Sequence, residues 1–357
     1  MEARMQGKRK KLALSVMMIL AVTVALAHSQ KRKAVNSGYH QIAKWDVGGE
    51  GFWDYLTYDS AGKRLFVSRG THVMVLNSVT GTVVGDIPDT GGVHGIALAP
   101  ELNKGFVSDG RDNAVTIFDL KTLKVLDKVN ISPAANPDAI LYEPSNRRVL
   151  TFNGHSKNVT VMDAKDGKVL GTIDVAGKPE FAVEDDGTVY VNDEDKGEII
   201  VIDPKAMTVK SRWSLSTEKQ KCEGPSGLAI DRKNHRLFSV CDDVMVVMNS
   251  KNGKVVTSLP TGKGTDAAGF DPETMLAFAS NGDGTLTVVH ENSPDSYSWV
   301  ENVKTLPRAR TMALDPDSHR VFLVTAQFGE TPAKTAENQR PRPPMVPGTF
   351  TVLVFGK

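Results

Sequence analysis

One pattern recurs seven times along the 357-residue chain: an apolar strand, an acidic or turn residue, a polar hairpin turn and a second apolar strand. The first and last copies read LTYDSAGKRLFVS (56–68) and MALDPDSHRVFLV (312–324). A large apolar residue falls in the second strand of every copy, at intervals of 40, 44, 40, 48, 40 and 44 residues. Intervals this regular identify a repeat protein. The aligned residues are Phe66, Phe106, Leu150, Tyr190, Phe238, Phe278 and Phe322.

Each copy is followed by two more short apolar runs, for example VTVMD (159–163) and KVLGTIDV (168–175). Four short strands every ~43 residues, rich in β-branched residues and bounded by Gly, Asp or Asn, are typical of a propeller blade. A helical solenoid has a similar period, but the apolar runs here are too short for helices and are broken by turn residues. We therefore predict an all-β fold, a seven-bladed β-propeller with four antiparallel strands per blade.

The two ends of the repeat region complete each other. The last copy stops after its third strand, TFTVLVF (349–355), whereas YHQIAKWDV (39–47) is a strand that precedes the first copy. Pairing the amino-terminal strand onto the last blade removes the sheet edges that an open ring would expose. We expect residues 39–357 to form the propeller, with the ring closed by the amino-terminal strand as the fourth strand of the last blade.

The first 27 residues differ from the rest of the chain. Five basic residues precede the apolar run LALSVMMILAVTVALA (12–27), which is shorter than the roughly 20 residues of a membrane span and ends in small residues. We predict a signal peptide at 1–27 and a flexible linker at 28–38, with an uncleaved amino-terminal anchor as the alternative. The mature protein is then expected in the bacterial periplasm or outside the cell, as a monomer without a membrane span.

Cleavage would remove five basic residues and one acidic residue, which moves the formal net charge from +1 to −3. A mildly acidic surface and an aromatic content of 6% provide neither phosphate contacts nor a stacking platform. The composition therefore argues against nucleic acid as a partner.

The chain has two cysteines, Cys222 and Cys241, and an even pair in an exported protein favours a disulfide. Two free thiols or half of a metal site are the alternatives.

Short motifs at the end of the second strand of several repeats are similar to those of a known protein family. They are Phe-Val-Ser-Arg (66–69), Phe-Val-Ser-Asp (106–109) and Tyr-Val-Asn-Asp (190–193), together with Pro-x-Gly-x-Ala at 225–229. In these features the chain resembles the YncE-like, or YVTN-repeat, seven-bladed propellers of exported bacterial proteins, from about Tyr39 to Lys357. The resemblance implies the fold and says little about function, because propellers are a shared scaffold.

Polar residues precede the first strand of most copies. The loop entering the first strand and the loop between strands two and three emerge on the same face of a propeller, which we call the mouth. A concave mouth with converging polar groups is the default position for a ligand. The candidate ligand-binding residues are Asp54, His94, Asp138, Glu180, Asp266, Arg310, Arg69, His155 and Arg342.

Four of these candidates could hold a metal ion: Asp54, His94, Asp138 and Asp266. Carboxylates and imidazole are competent ligands for Mn, Zn or Ca, so a divalent metal is the candidate cofactor. The residues lie far apart in the sequence, without a compact motif such as His-Glu-x-x-His. In the alternative interpretation, each short polar side chain caps its own turn and lines a wet channel.

The last blade carries an insertion, GETPAKTAENQRPRPPMVPG (329–348), with five prolines in twenty residues. We expect it to project from the mouth face and to bring Arg340 and Arg342 toward Arg308 and Arg310, where four guanidinium groups would attract a carboxylate or a phosphate. The insertion is then a lid or a docking arm. A mobile, solvated loop is the alternative.

Two functions fit the sequence. The first is an exported, non-enzymatic propeller that binds a protein partner or a small anionic ligand at its polar mouth. The second is a metal-dependent, lactonase-like hydrolase with a site at the same mouth. The sequence contains neither a Gly-x-Ser-x-Gly elbow nor a phosphate-binding loop, so it gives no support to hydrolase or nucleotide chemistry of those kinds.

Overall fold

The computed structural model describes residues 36–335, 339 and 341–357. The predicted signal peptide (1–27), residues 28–35 of the predicted linker and Arg340 lie outside the described residues. Residues Ser37–Lys357 form one compact unit.

Within the described residues, twenty-eight strands form seven antiparallel sheets of four strands each. The all-β, seven-bladed propeller predicted from the repeat is therefore confirmed. A short 3-10 turn spans Pro100–Leu102. The strands of the first three blades are β2 (Leu56–Asp59), β3 (Arg64–Ser68), β4 (Val73–Asn77), β5 (Val83–Ile87); β6 (Val93–Ala99), β7 (Lys104–Asp109), β8 (Ala114–Asp119), β9 (Val125–Asn130); and β10 (Pro137–Glu143), β11 (Arg148–Asn153), β12 (Asn158–Asp163), β13 (Val169–Asp174).

The remaining blades follow the same order, with the innermost strand first along the chain. Their strands are β14 (Pro179–Asp185), β15 (Thr188–Asp193), β16 (Glu198–Asp203), β17 (Thr208–Ser214); β18 (Leu228–Asp231), β19 (Arg236–Cys241), β20 (Val244–Asn249), β21 (Val255–Pro260); β22 (Thr265–Asp271), β23 (Leu276–Asn281), β24 (Thr285–Ser293), β25 (Ser296–Lys304); and β26 (Met312–Asp315), β27 (Arg320–Thr325), β28 (Thr351–Gly356) with β1 (His40–Asp46).

The seventh blade joins the two ends of the propeller. Strand β1 pairs with β28 in antiparallel register, from His40 opposite Gly356 to Asp46 opposite Thr351. Just before β1, the buried Tyr39 donates a hydrogen bond from its hydroxyl to the carbonyl of His319, at 2.8 Å. The amino-terminal segment is thus fixed by backbone pairing along β28 and by a side-chain anchor.

The seven aligned residues of the repeat lie in the second strand of each blade and are at most 4% exposed. They pack against side chains of the neighbouring strands and blades; Phe66 and Phe118, for example, have ring centroids 5.8 Å apart. Burying a side chain of this size contributes about 2 kcal/mol. The repeat interval therefore follows from the need of each blade for one large apolar residue against its neighbour.

A disulfide joins Cys222, in the loop between β17 and β18, to Cys241 at the end of β19. The two Cα atoms are 5.5 Å apart, and both side chains are buried. The bridge ties the long loop that enters the fifth blade to that blade's second strand. None of the helical structure in the described residues has the length and the apolar character of a membrane span.

Candidate functional site

Four of the predicted mouth residues share one local geometry. His94, Asp138, Glu180 and Asp266 each occupy the second position of an innermost strand, where the pairing register with the next strand shifts. Such a bulge bends the strand and redirects a side chain. It explains how these polar residues can belong to the ends of apolar strands and yet turn toward the mouth.

The third residue of each family-like motif holds the innermost strand in place. The Ser68 hydroxyl accepts a hydrogen bond from the backbone N–H of Asp54, at 2.8 Å. The Ser108 hydroxyl accepts one from Gly95, also at 2.8 Å, and donates one to the carbonyl of Asp138 in the next blade. These hydrogen bonds fix the backbone that carries the mouth residues of blades one to three.

Three residues from three successive blades form what we call the axial cluster: Asp54, His94 and Asp138. The Nδ1 atom of His94 lies 2.7 Å from Oδ2 of Asp54 and 3.5 Å from Oδ1 of Asp138. One potential ligand atom from each residue lies within 4.8 Å of the others. Oδ1 of Asp138 is buried and has no hydrogen-bond partner among the described residues. The cluster therefore has an unused acceptor that is shielded from water.

Glu180, from the fourth blade, reaches the axis from the opposite side of the ring. Its Oε1 atom accepts a hydrogen bond from the hydroxyl of Tyr55 at 3.2 Å, and its Oε2 atom lies 3.8 Å from Nζ of Lys178. Lys178 also pairs closely with Glu194. Burial and the negative charge of Asp138 raise the pKa of Glu180 to about 9. Glu180 is therefore protonated more readily than an exposed glutamate.

The other acidic residues of the mouth are also affected by burial. Burial raises the pKa of Asp138 and of Asp266 to about 6; the charge of His94 opposes the shift in the first and that of Arg310 in the second. Burial lowers the pKa of His94, but the hydrogen bond to Asp54 and the charge of Asp138 outweigh it and raise the pKa overall. The mouth therefore concentrates negative charge in a poorly hydrated place, where a bound cation would be stabilised.

Two aromatic rings divide the central channel. Tyr55 and Phe181 lie 5.4 Å apart between ring centroids, although they belong to the first and fourth blades. On the mouth side they line a cavity of about 40 Å³ together with Asp54, Glu180 and Asp266. On the other side they line a channel of about 360 Å³ walled by the innermost strands. The mouth cavity has room for an ion or one to two water molecules.

The remaining predicted residues are dispersed. Asp266 pairs with Arg310, at 3.3 Å between Oδ2 and Nε, and lies outside the axial cluster. His155 is exposed in the loop between β11 and β12. Arg342 lies at the edge of a separate pocket beneath the proline-rich insertion.

Arg69, predicted to lie at the mouth, is fully buried. Its guanidinium lies 3.6 Å from the ring centroid of Phe350 and donates a hydrogen bond to the carbonyl of Glu50, at 2.8 Å. Burial lowers its pKa to about 10. These contacts hold the segment between β1 and β2 against the last blade. Arg69 therefore has a structural role next to the mouth.

The sequence analysis missed Tyr55, Lys178, Phe181 and Glu194. Tyr55 and Phe181 are next to predicted mouth residues, Lys178 is two residues before Glu180, and Glu194 follows the second strand of the fourth blade. A wider window around each predicted position would have included the first three but not Glu194. What the sequence could not indicate is which of them face the axis.

Comparison with known proteins supports the fold and leaves the function open. A domain of unknown function, DUF5074, matches residues 101–261, which is less than half of the chain. A chain in a structure described as "Crystal Structure of Mitotic Checkpoint Complex" is similar with a TM-score of 0.69 over 91% of this chain and 96% of that one, at 13% identity. Likeness at that identity shows the fold alone. No curated protein has a significantly similar sequence. In all, 1769 chains of known structure match this fold, so function has to be argued from the side chains. The chain is a β-propeller, and its identity as a YncE-like protein stays a prediction.

Proposed function

We propose that this protein is an exported, non-enzymatic binding propeller whose mouth holds a divalent cation on Asp54, His94 and Asp138. The observation that carries the proposal is the convergence of three potential ligand atoms within 4.8 Å, from three blades, around a buried carboxylate oxygen of Asp138 that has no hydrogen-bond partner among the described residues. Buried acceptors without a partner are rare in native proteins and call for an explanation.

The chemistry of the cluster suits a first-row metal ion. Two carboxylates and one imidazole are ligands for Mn²⁺ or Zn²⁺, and Ca²⁺ would use the carboxylates only. A cation would also offset the repulsion among Asp54, Asp138 and Asp266. With three protein ligands, the ion keeps coordination positions for a group supplied by a small anionic ligand or a protein partner at the mouth.

Titration calorimetry of the protein with Mn²⁺, Zn²⁺ and Ca²⁺ tests this proposal. We expect one ion per chain for Mn²⁺ or Zn²⁺, and binding about tenfold weaker or worse in Asp138→Asn, because the variant loses an anionic ligand. The control is Asp127→Asn, which alters an exposed carboxylate on the outermost strand β9 and should bind within twofold of the wild type. Absence of binding at millimolar ion, or equal binding by Asp138→Asn, would contradict the proposal.

The metal-dependent, lactonase-like hydrolase is the second candidate. It is favoured by the number of protein ligands, since catalytic zinc sites commonly use three and leave a position open. A panel of lactones and phosphoesters, assayed with the bound ion, distinguishes the two functions. Turnover that is lost in Asp138→Asn would assign an enzyme. If the protein binds one ion per chain but hydrolyses no member of the panel, the result supports the non-enzymatic binding function.

An exported location belongs to the same proposal. The disulfide between Cys222 and Cys241 supports it, because disulfides persist in oxidising compartments such as the periplasm. We also propose that the protein is a monomer. The charge balance of the predicted mature chain supports the further proposal that it does not bind nucleic acid.

A further inference from the structure

A second pocket is lined in part by the proline-rich insertion. It has a volume of about 570 Å³, within the range of small-molecule sites. We call it the arginine pocket and define it by six of its lining residues. They are three aromatic residues and three arginines: Phe52, Trp53, Phe328, Arg308, Arg310 and Arg342.

The described part of the insertion gives this pocket a fixed wall. Phe328 and Met345 form a β-bridge at the base of the insertion. The N–H of Gly329 donates to the carbonyl of Pro344 at 2.9 Å, and the N–H of Val346 donates to that of Gln327 at 2.8 Å. The two ends of the insertion are therefore held together as a hairpin, and its described residues Thr331, Pro341, Arg342 and Pro343 line the pocket.

The arginines leave the pocket with excess positive charge. Arg310 shares the carboxylate of Asp266. Arg308 and Arg342 have no ion pair within 4.0 Å among the described residues. The guanidinium of Arg308 lies 4.5 Å from the ring centroid of Phe328, a contact that orients it without neutralising it. Two guanidinium groups without an ion pair among the described residues, one of them held over an aromatic ring, favour a carboxylate, which can accept hydrogen bonds in pairs.

The aromatic residues of the pocket, Phe52, Trp53 and Phe328, form its second distinctive feature. The side chain of Phe52 is 62% exposed, the largest exposed fraction among the large hydrophobic residues described. Trp53 is held in place by two rings, with its centroid 6.0 Å from that of Phe328 and 5.3 Å from that of Phe350. An exposed ring beside a fixed indole offers a surface on which a planar group can stack.

We propose that the arginine pocket binds a small aromatic carboxylate, with its ring against Phe52 and Trp53 and its carboxylate on Arg308 and Arg342. This site goes beyond the cation site of the axial cluster; the ion pair between Arg310 and Asp266 links the pocket to the mouth cavity. The aromatic residues and the excess positive charge together favour a ligand that has both a planar ring and a carboxylate. A bare phosphate would use only the arginines, and a neutral ring would use only the aromatic residues.

Calorimetry with 1-naphthoate tests the proposal, with 1-naphthalenemethanol as the neutral analogue and inorganic phosphate as the ring-free anion. We expect 1-naphthoate to bind at least about tenfold more tightly than either comparison ligand, because each lacks one of the two interactions. Phe52→Ala should weaken 1-naphthoate and leave phosphate unchanged.

The charge contribution is tested with the double variant Arg308→Gln and Arg342→Gln. We expect 1-naphthoate binding to fall at least about tenfold and to become nearly independent of salt. Arg147→Gln is the matched control. Arg147 is exposed in a hairpin turn of the third blade, and its φ of 52° is similar to the 64° of Arg308. Glutamine must therefore adopt a positive φ at both positions. The control should bind within twofold of the wild type.

Several results would overturn the proposal. They are equal binding of the neutral analogue, phosphate binding as tight as that of 1-naphthoate, unchanged affinity in the double variant, or no binding of 1-naphthoate at millimolar concentration. The proposals for the cation site and for the arginine pocket can be refuted independently of each other. Asp138→Asn should keep 1-naphthoate binding within twofold, and the double arginine variant should keep its cation binding, with circular dichroism showing that both variants are folded.

Discussion

Removing the amino-terminal strand is expected to lower the midpoint of thermal unfolding by about 10 °C or more, or to prevent folding altogether. The deletion takes away the ladder between β1 and β28, the buried Tyr39 and the packing of Trp45, whose ring centroid is 6.0 Å from that of Phe322. Backbone hydrogen bonds worth about 1 kcal/mol each and two aromatic side chains give a loss of roughly 5–10 kcal/mol. That is comparable with the whole stability of a typical protein.

The measurement compares two chains, one that begins at residue 36 and one that begins at residue 48. The longer chain keeps β1 and is the control. The shorter chain should unfold at a lower temperature and self-associate through the exposed edge of β28, and a peptide of residues 39–47 added in excess should restore part of the stability. If both chains melt at the same temperature, the first strand does not hold the ring closed.

Removing the disulfide is expected to have the next largest effect on stability. The variant Cys222→Ala with Cys241→Ala opens a loop with a sequence separation of 19 residues. The unfolded chain then regains conformational freedom, and the free energy of unfolding should fall by about 3 kcal/mol.

Denaturant unfolding with and without reductant measures this loss and separates the bridge from simple packing. Under oxidising conditions the wild type should be the more stable protein, and in reductant the two proteins should converge. A difference that persists in reductant would indicate a packing defect at these buried positions, and equal free-thiol counts with and without reductant in the wild type would show that the bridge is absent.

The architecture could be predicted from the sequence because each blade of a propeller corresponds to one sequence repeat of nearly constant length. Each blade needs a large residue in its second strand, and all seven aligned residues, from Phe66 to Phe322, are buried. Within a blade, short apolar runs separated by turn residues exclude helices. The edge that an open ring would expose indicated where the first strand had to pair, and β1 lies beside β28.

The candidate site was harder to predict, because its contacts join residues that are about one repeat apart. Asp54, His94 and Asp138 are separated by 40 and 44 residues, and only the curvature of the ring and the bulges in β6 and β10 bring them together. Asp266 occupies the same kind of position in its blade but pairs with Arg310. Equivalent positions in a repeat are therefore not equivalent in chemistry.

Arg69 illustrates a different limit of sequence reasoning. It follows the second strand of the first blade and was expected at the mouth, yet Phe350, from the far end of the chain, covers its guanidinium. The covering residue reaches this position only because the seventh blade closes against the first. No local pattern around Arg69 carries that information.

Binding of a divalent cation by Asp54, His94 and Asp138 can be observed by pulsed electron paramagnetic resonance of the protein with one equivalent of Mn²⁺, which detects a directly coordinated imidazole nitrogen. We expect nitrogen modulation of the Mn²⁺ echo in the wild type and its loss in His94→Gln. Bound Mn²⁺ without nitrogen modulation in the wild type, or the same modulation in His94→Gln, would contradict the proposal.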